Sequence, residues 1–257
     1  MTDFARRTLK INGIDTVVLS AGSGPPLVYL HGAGTVTRFH FAAPWLKRFQ
    51  VIVPYHPGFG ESAADPAITE LHDYVLHYLE LFEALGLKKI RMVGHSMGGF
   101  IAAKLGIEHA YLLERLALVC PIGIPTPGHP TTDFLKVPPQ DLPALLGHDP
   151  QTVIKRLPAG APDASFIAER EKETVTAARV LGSTPFDVKL PRYLHRLTMP
   201  LLIAWGKADR LTPVAQQREW SRLLPRAEVR LYDNAGHLVL DEAPAAVADI
   251  ADFFGAR

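Results

Sequence analysis

The chain has a single cysteine, Cys120, among its 257 residues. An internal disulfide is therefore excluded, as is a zinc site built on paired cysteines. Excess charge of one sign is also missing: 27 Lys and Arg stand against 26 Asp and Glu, a net charge of +1. Such a balance gives no footprint for nucleic acid or an acidic membrane surface. No apolar run approaches the roughly 18 residues of a membrane span. The opening stretch MTDFARRTLKINGIDTVV has no apolar signal-peptide core, so a cytoplasmic address is expected. A Walker loop and an HExxH pair are absent. The glycines of GSGPPL and GFGESA lack the third glycine of a dinucleotide loop. There is no internal repeat and no low-complexity tract.

What is present is an ordinary globular composition, 47% hydrophobic and 21% charged, long enough for a large core. RTLKI and DTVVLSAG flank an Asn-Gly pair, the signature of a hairpin. The apolar runs in PPLVYLHGAG, FQVIVPYHPGFG, KKIRMVGHS, RLALVCPIG, MPLLIAWGKAD and AEVRLYDNAG each end in Gly, Pro, His, Ser or Asp. Such runs suit strands buried on both faces of a mostly parallel sheet. Helical periodicity lies between many of them. Ile68, Leu71, Val75, Tyr78, Leu79, Phe82 and Leu85 share one face and stop at Gly86. Asp73 and His77, four apart, read as an exposed helical pair rather than a metal site. Strands alternating with helices predict an open α/β sheet.

Residues 125–190 break this rhythm. Prolines crowd the first half and DASFIAEREKETVTAARVLG reads as a helix. Phe134, Leu142, Leu145, Leu146, Phe166 and their neighbours are too hydrophobic for a disordered linker. The expected organisation is a core of 1–124 and 191–257 with a helical insertion, 125–190, that serves as a lid.

Ser96 carries the chemistry. Gly94-His95-Ser96-Met97-Gly98 fits G-x-S-x-G, after a strand and before a helix, where a sharp turn presents a serine as a nucleophile and bulkier flanking residues would collide. A serine hydroxyl needs a base, and the base needs an orienting acid. In the order that such sheets use, Asp209 at the end of LLIAWGKAD supplies the acid and His237 in DNAGHLVLDEAP the base. Asp233, Asp241 and Glu242 are weaker candidates, too close in sequence to His237 to come from a separate strand end. Two N–H donors are needed for an oxyanion, and Met97 and Ala33 of HGAG are the candidates. Cys120 reads as an inert core thiol.

With HGAG, PGFGES, GHSMGG, GKADRLTP and AGHLVLDEAP in this order, the sequence resembles the α/β-hydrolase superfamily over residues 5–255. The resemblance implies a sheet of roughly eight strands, with a helical cap inserted between the sixth and seventh. It implies a serine hydrolase without metal or organic cofactor, acting on a small-molecule substrate, and assigns no role to His56. A carboxylesterase for small to medium apolar esters is the expected activity, with His95, Phe134, Leu142, Leu145, Leu146 and Leu238 expected to line the pocket. A C–C (meta-cleavage product) hydrolase, a lactonase and a slow-turnover ligand receptor use the same three residues. Many of the C–C hydrolases carry Trp after the histidine, where this chain has Leu238. Monomer and homodimer are both compatible with the sequence.

Overall fold

The computed structural model describes residues 4–36, 38–158, 160–182 and 185–256. Its centre is an eight-stranded sheet in the order β1-β2-β4-β3-β5-β6-β7-β8. The strands are β1 (Ala5–Ile11), β2 (Ile14–Ala21), β3 (Pro26–Leu30), β4 (Gln50–Pro54), β5 (Ile90–His95), β6 (Leu113–Val119), β7 (Leu201–Gly206) and β8 (Glu228–Tyr232). β1 and β2 form the expected hairpin, with Asn12 and Gly13 both at positive φ, 47° and 84°. That pair of left-handed residues matches the twist of the flanking strands. β2 joins β4 antiparallel, and every later pairing is parallel.

Strands β3 to β7 are buried over consecutive residues, so side chains on both faces are covered. Leu27, Val28, Val51, Val93, Leu116, Leu118, Ile203 and Trp205 are all fully buried. Each such side chain contributes about 1.5–3 kcal/mol through its removal from water. The helices are α1 (Asp73–Ala84), α2 (Met97–Glu108), α3 (Leu142–Leu146), α4 (Gln151–Ile154), α5 (Ala164–Leu181), α6 (Leu190–Tyr193), α7 (Ala215–Leu223), α8 (Val239–Glu242) and α9 (Pro244–Gly255). α2 packs on β3, β5 and β6, and α9 on β7 and β8.

Two local expectations change. Helix α1 starts at Asp73 rather than near Ile68, because the Asp73 carboxylate accepts the N–H groups of Thr69 and Glu70 at 2.8 and 3.0 Å and holds a turn there. The Asp73–His77 pair is not exposed: His77 is buried and Nε2 lies 3.2 Å from the Thr16 hydroxyl on β2.

Between β6 and β7 the chain passes through α3, α4, α5 and α6. Among the described residues of this stretch, the only extended pairing is one bridge, Gly123 to Phe186. Strand order reverses between β3 and β5, the crevice where open α/β sheets bind their ligands. The register aligns Leu30 with Gly94, His95 with Val119, Val119 with Ala204, and Gly206 with Tyr232. Chain segments leaving β3, β5, β6, β7 and β8 therefore emerge along one edge. They carry Ala33, Ser96, Cys120, Asp209 and His237.

Candidate active site

Ser96 sits between β5 and α2 at φ 55°, ψ −115°. A non-glycine residue held there costs about 1–3 kcal/mol and persists because its surroundings enforce it. Its N–H donates to Val119 O at 2.9 Å, and its carbonyl accepts from Gly99 N and Ile122 N at 2.9 and 3.3 Å. The adjoining glycines are steric requirements. A Cβ on Gly98 would stand 2.1 Å from Leu30 O, and one on Gly94 would stand 2.5 Å from Gly98 O. Met97 is the first residue of α2, so its N–H has no acceptor within the helix and lies at the positive end of the helix dipole.

Ala33 and Met97 both line the cavity that contains Ser96. A Cβ on Gly32 would lie 3.2 Å from Ser96 Cβ, so the two loops are in close approach. His31, which sequence reasoning passed over, is fixed in this region. The His56 N–H donates to His31 Nε2 at 3.0 Å, which leaves the proton on His31 Nδ1, 2.6 Å from Gly32 O. The Gly32 carbonyl and the Ala33 N–H belong to one planar peptide and point in opposite directions. Holding the carbonyl therefore orients the N–H. His56, given no role above, completes the arrangement: Nε2–H donates to His31 O at 2.7 Å and Nδ1 accepts from the Tyr78 hydroxyl. Burial holds His31 well below the ordinary histidine range and takes His56 down to about 3, so both rings are neutral. HG after a strand was the available signal; the partners were not.

Asp209 and His237, 28 residues apart, meet in the structure. His237 Nδ1 donates to Asp209 Oδ2 at 2.9 Å, and both side chains are buried. This tautomer leaves the lone pair on Nε2. The carboxylate also accepts from Leu211 N at 2.9 Å, Thr212 N at 2.8 Å and the Thr212 hydroxyl at 2.7 Å. Burial alone would raise the Asp209 carboxyl. The His237 charge and the bonds from His237 and Thr212 reverse that and hold it below the ordinary aspartate range. Asp233 instead pairs with Lys207 at the surface. Asp241 reaches Arg156, and Glu242 accepts the backbone N–H groups of Gly236, His148 and Asp149.

Cys120 is a fully buried core thiol. It lies at positive φ (42°) at the end of β6, with its sulfur, an Asp209 oxygen and a His237 nitrogen all within 4.8 Å of one another. Burial and the Asp209 charge push the thiol well up, so it stays protonated. Three groups carrying potential metal-ligand atoms thus meet here, all of them buried.

The cavity at Ser96 has a volume of about 70 Å³. Ile122, Phe134, Leu135, Leu181, Pro185 and Leu211 give it an apolar lining, with Thr131, Thr132 and Asp133 at its polar side. Of the expected pocket residues, Phe134 is there. His95, Leu142, Leu145, Leu146 and Leu238 are not among its lining residues. His95 turns beneath His237, with Nε2 2.9 Å from His237 O and burial lowering it to about 3. Helix α3 packs its end on the histidine loop instead: Leu238 N donates to Leu146 O at 3.1 Å, drawing the leucines to that side. The lining comes mainly from residues 131–135 and the end of α5, with Ile122, Pro185 and Leu211 beside them.

A strained serine at a strand-to-helix turn and a buried Asp–His pair lie along one edge of an eight-stranded, mostly parallel sheet. The alpha/beta hydrolase family description matches residues 27–250, and the chain belongs to that family. Among curated relatives, the uncharacterized hydrolase YugF of Bacillus subtilis is 27% identical over 88% of this chain and 89% of its own. A 2-hydroxy-6-oxononadienedioate/2-hydroxy-6-oxononatrienedioate hydrolase of Paraburkholderia phymatum is 28% identical over 88% of this chain and 81% of its own. In structure, the 2-hydroxy-6-oxo-6-phenylhexa-2,4-dienoate hydrolase of Rhodococcus sp. strain RHA1 superposes with a TM-score of 0.82 over 100% of both chains, at 24% identity. Naproxen esterase of Bacillus subtilis superposes with a TM-score of 0.79 over 99% of this chain and 92% of its own, at 18% identity. No helix among the described residues is long and apolar enough to cross a membrane.

Proposed function

We propose that this hydrolase is a serine carboxylesterase for small to medium apolar esters, with Ser96 as nucleophile, His237 as base and Asp209 as orienting acid. The observation that carries the reading is the lining of the Ser96 cavity, which is largely apolar, includes no Lys or Arg among its described residues, and has Asp133 as its one charged group. A neutral ester suits it, whereas a carboxylate-bearing substrate would enter without a cation to meet it.

His237 Nε2 takes the Ser96 proton as Oγ attacks the ester carbonyl. The carbonyl oxygen becomes negative between the N–H groups of Ala33 and Met97. His237, now cationic, is stabilised by Asp209 and protonates the leaving alcohol. A water enters, gives its proton to His237 and hydrolyses the acyl-enzyme. Residues 125–190 cover the site as a lid.

A C–C hydrolase reading has its own support in the dioate hydrolases among the relatives. A panel of p-nitrophenyl esters, a lactone, an amide and a vinylogous diketone separates the two. Turnover concentrated on butyrate or hexanoate esters supports the esterase. A kcat/KM for the diketone well above every ester replaces it with the C–C reaction. Ligand binding without multiple turnover on any of them replaces both with a receptor.

A further inference from the structure

Helix α5 of the insertion buries one carboxylate, Glu173, with 4% exposure. Burial pushes its carboxyl above the ordinary glutamate range; Arg170, Thr35 and Gly60 N–H pull it down and Glu169 adds to the rise. A charge placed there needs partners, because desolvating an unpaired carboxylate costs several kcal/mol. The partners are specific. Arg170 Nη1 lies 2.5 Å from Glu173 Oε2. The Thr35 hydroxyl donates to Oε1 at 2.6 Å and Gly60 N–H donates to the same atom at 2.8 Å. Arg170 Nη2 in turn donates to the Thr35 hydroxyl at 3.1 Å. One carboxylate of the insertion therefore clasps two loops of the core.

Thr35 lies two residues beyond Ala33. The loop from Gly32 to Thr35 is held at its start by His31 Nδ1 on Gly32 O. Nothing packs on its middle: a Cβ on Gly34 would meet no atom within 4 Å. Its far end is held by Thr35, through Glu173 and Arg170. The rest of the contact fixes α5 itself. Lys172 Nζ donates to Gly60 O and Ser62 O at 2.5 and 3.0 Å, and a Cβ on Gly58 would come within 2.5 Å of Thr176 Oγ1.

We propose that Glu173 is a positioning residue for the oxyanion site: acting through Thr35, it holds the Ala33 N–H in place, so that seating of α5 and completion of the oxyanion hole are one event. This rests on the serine-hydrolase reading of Ser96 and Ala33. When α5 lifts, Thr35 loses its acceptor, the loop relaxes about Gly34, and the donor is misplaced. A displaced insertion would then leave a site that opens to substrate but does not stabilise the tetrahedral oxyanion.

The decisive variants are at Thr35, because Glu173→Ala also strips Arg170 of its partner and disturbs α5. Thr35→Val keeps shape and removes the hydroxyl; Thr35→Ser keeps the hydroxyl. The readouts are kcat and KM for p-nitrophenyl butyrate and the Ki of an alkyl trifluoromethyl ketone, whose hemiketal oxygen occupies the oxyanion position. Thr35→Val should lower kcat about 10-fold, less than the 10²–10³ seen when an oxyanion donor is removed outright. Ki should weaken by the same factor while KM stays within about twofold. Thr35→Ser should retain most of the activity. Glu173→Gln, which keeps an acceptor, should fall between, and its effect should not add to that of Thr35→Val. Unchanged kcat and Ki in Thr35→Val overturn the proposal, as does a change in KM alone or a loss of kcat with Ki intact. Ser96→Ala runs alongside: if it retains turnover, the nucleophile reading has failed, independently of this clasp.

Discussion

The edge of the sheet and the insertion that faces it are built by opposite means. At the edge, the Asp209 carboxylate takes two backbone N–H groups, a hydroxyl and an imidazole, and every participant is buried. In the insertion, helices other than the 18-residue α5 are short, and Ile154, Leu157, Ile167, Val175, Phe186 and Val188 remain exposed. The described insertion meets the core through polar contacts, Glu173 and Lys172 among them, and through Ala177, Val180, Leu181 and Leu190, which bury in the main hydrophobic core. A rigid edge suits groups that must be placed to within a fraction of an ångström. An insertion that leaves more apolar side chains exposed is the part expected to tolerate substitution best.

The largest expected effect lies at the edge. Ser96→Ala should abolish ester turnover with the fold retained by circular dichroism, and a serine-directed phosphonate should label wild type at Ser96 alone. Labelling at a different serine would move the nucleophile off the elbow. Asp209→Asn comes next, with kcat expected to fall by about 10⁴, as when a triad acid loses its charge. Asp233→Asn, at the surface ion pair with Lys207, should leave kcat within about twofold. The reverse pattern would put the acid outside the buried pair.

Acid stability sharpens the comparison, because the buried histidines belong to the core. Burial lowers His56 and His95 to about 3 and His77 to about 4. In the unfolded chain each would titrate near 6.5. Below that pH the unfolded state takes up protons that the folded state refuses, so stability should fall from about pH 6.5 down toward pH 4. At pH 5 the loss is about 2 kcal/mol for each of these histidines. The depressed Asp209 acts only at still lower pH, since an acid lowered in the fold adds stability above its unfolded value. Urea midpoints measured from pH 7.5 to 5 test this, and His77→Gln, away from the site, should flatten the slope by one proton. A slope unchanged in that variant would remove His77 from the account.

Smaller effects belong to the insertion. kcat/KM should rise from acetate to butyrate or hexanoate esters by up to about fourfold per methylene, since each buried CH₂ is worth about 0.8 kcal/mol. It should fall once the chain outgrows the cavity. Phe134→Ala should shift that optimum to longer chains, whereas Leu145→Ala and Leu146→Ala should not. An optimum that follows the leucines would reinstate α3 as the pocket wall. Val188→Ala, fully on the exposed side, should change stability by no more than about 0.5 kcal/mol.

Much of this was legible in local signals. Asn12-Gly13 marks the hairpin, the apolar runs mark the strands, and Gly94 and Gly98 around Ser96 mark a turn that admits nothing larger. These features depend on a few consecutive residues, and the physics that shapes them acts over the same few residues. Which wall an apolar residue of a proline-rich stretch faces is not written locally: Phe134 lines the Ser96 cavity, and Leu142, Leu145 and Leu146 are not among its lining residues.

The amino-acid sequence by itself determined the sheet, its hairpin, the elbow at Ser96 and the order of serine, aspartate and histidine, since periodicity, turn sterics and strand ends are all encoded locally. Only the tertiary structure decided that Cys120 comes within 4.8 Å of Asp209 and His237, that His31 and His56 hold the peptide preceding Ala33, and that Glu173 reaches Thr35 across 138 positions. A buried polar group must find its partner wherever the fold brings one, and the identity of that partner is a property of the packed chain.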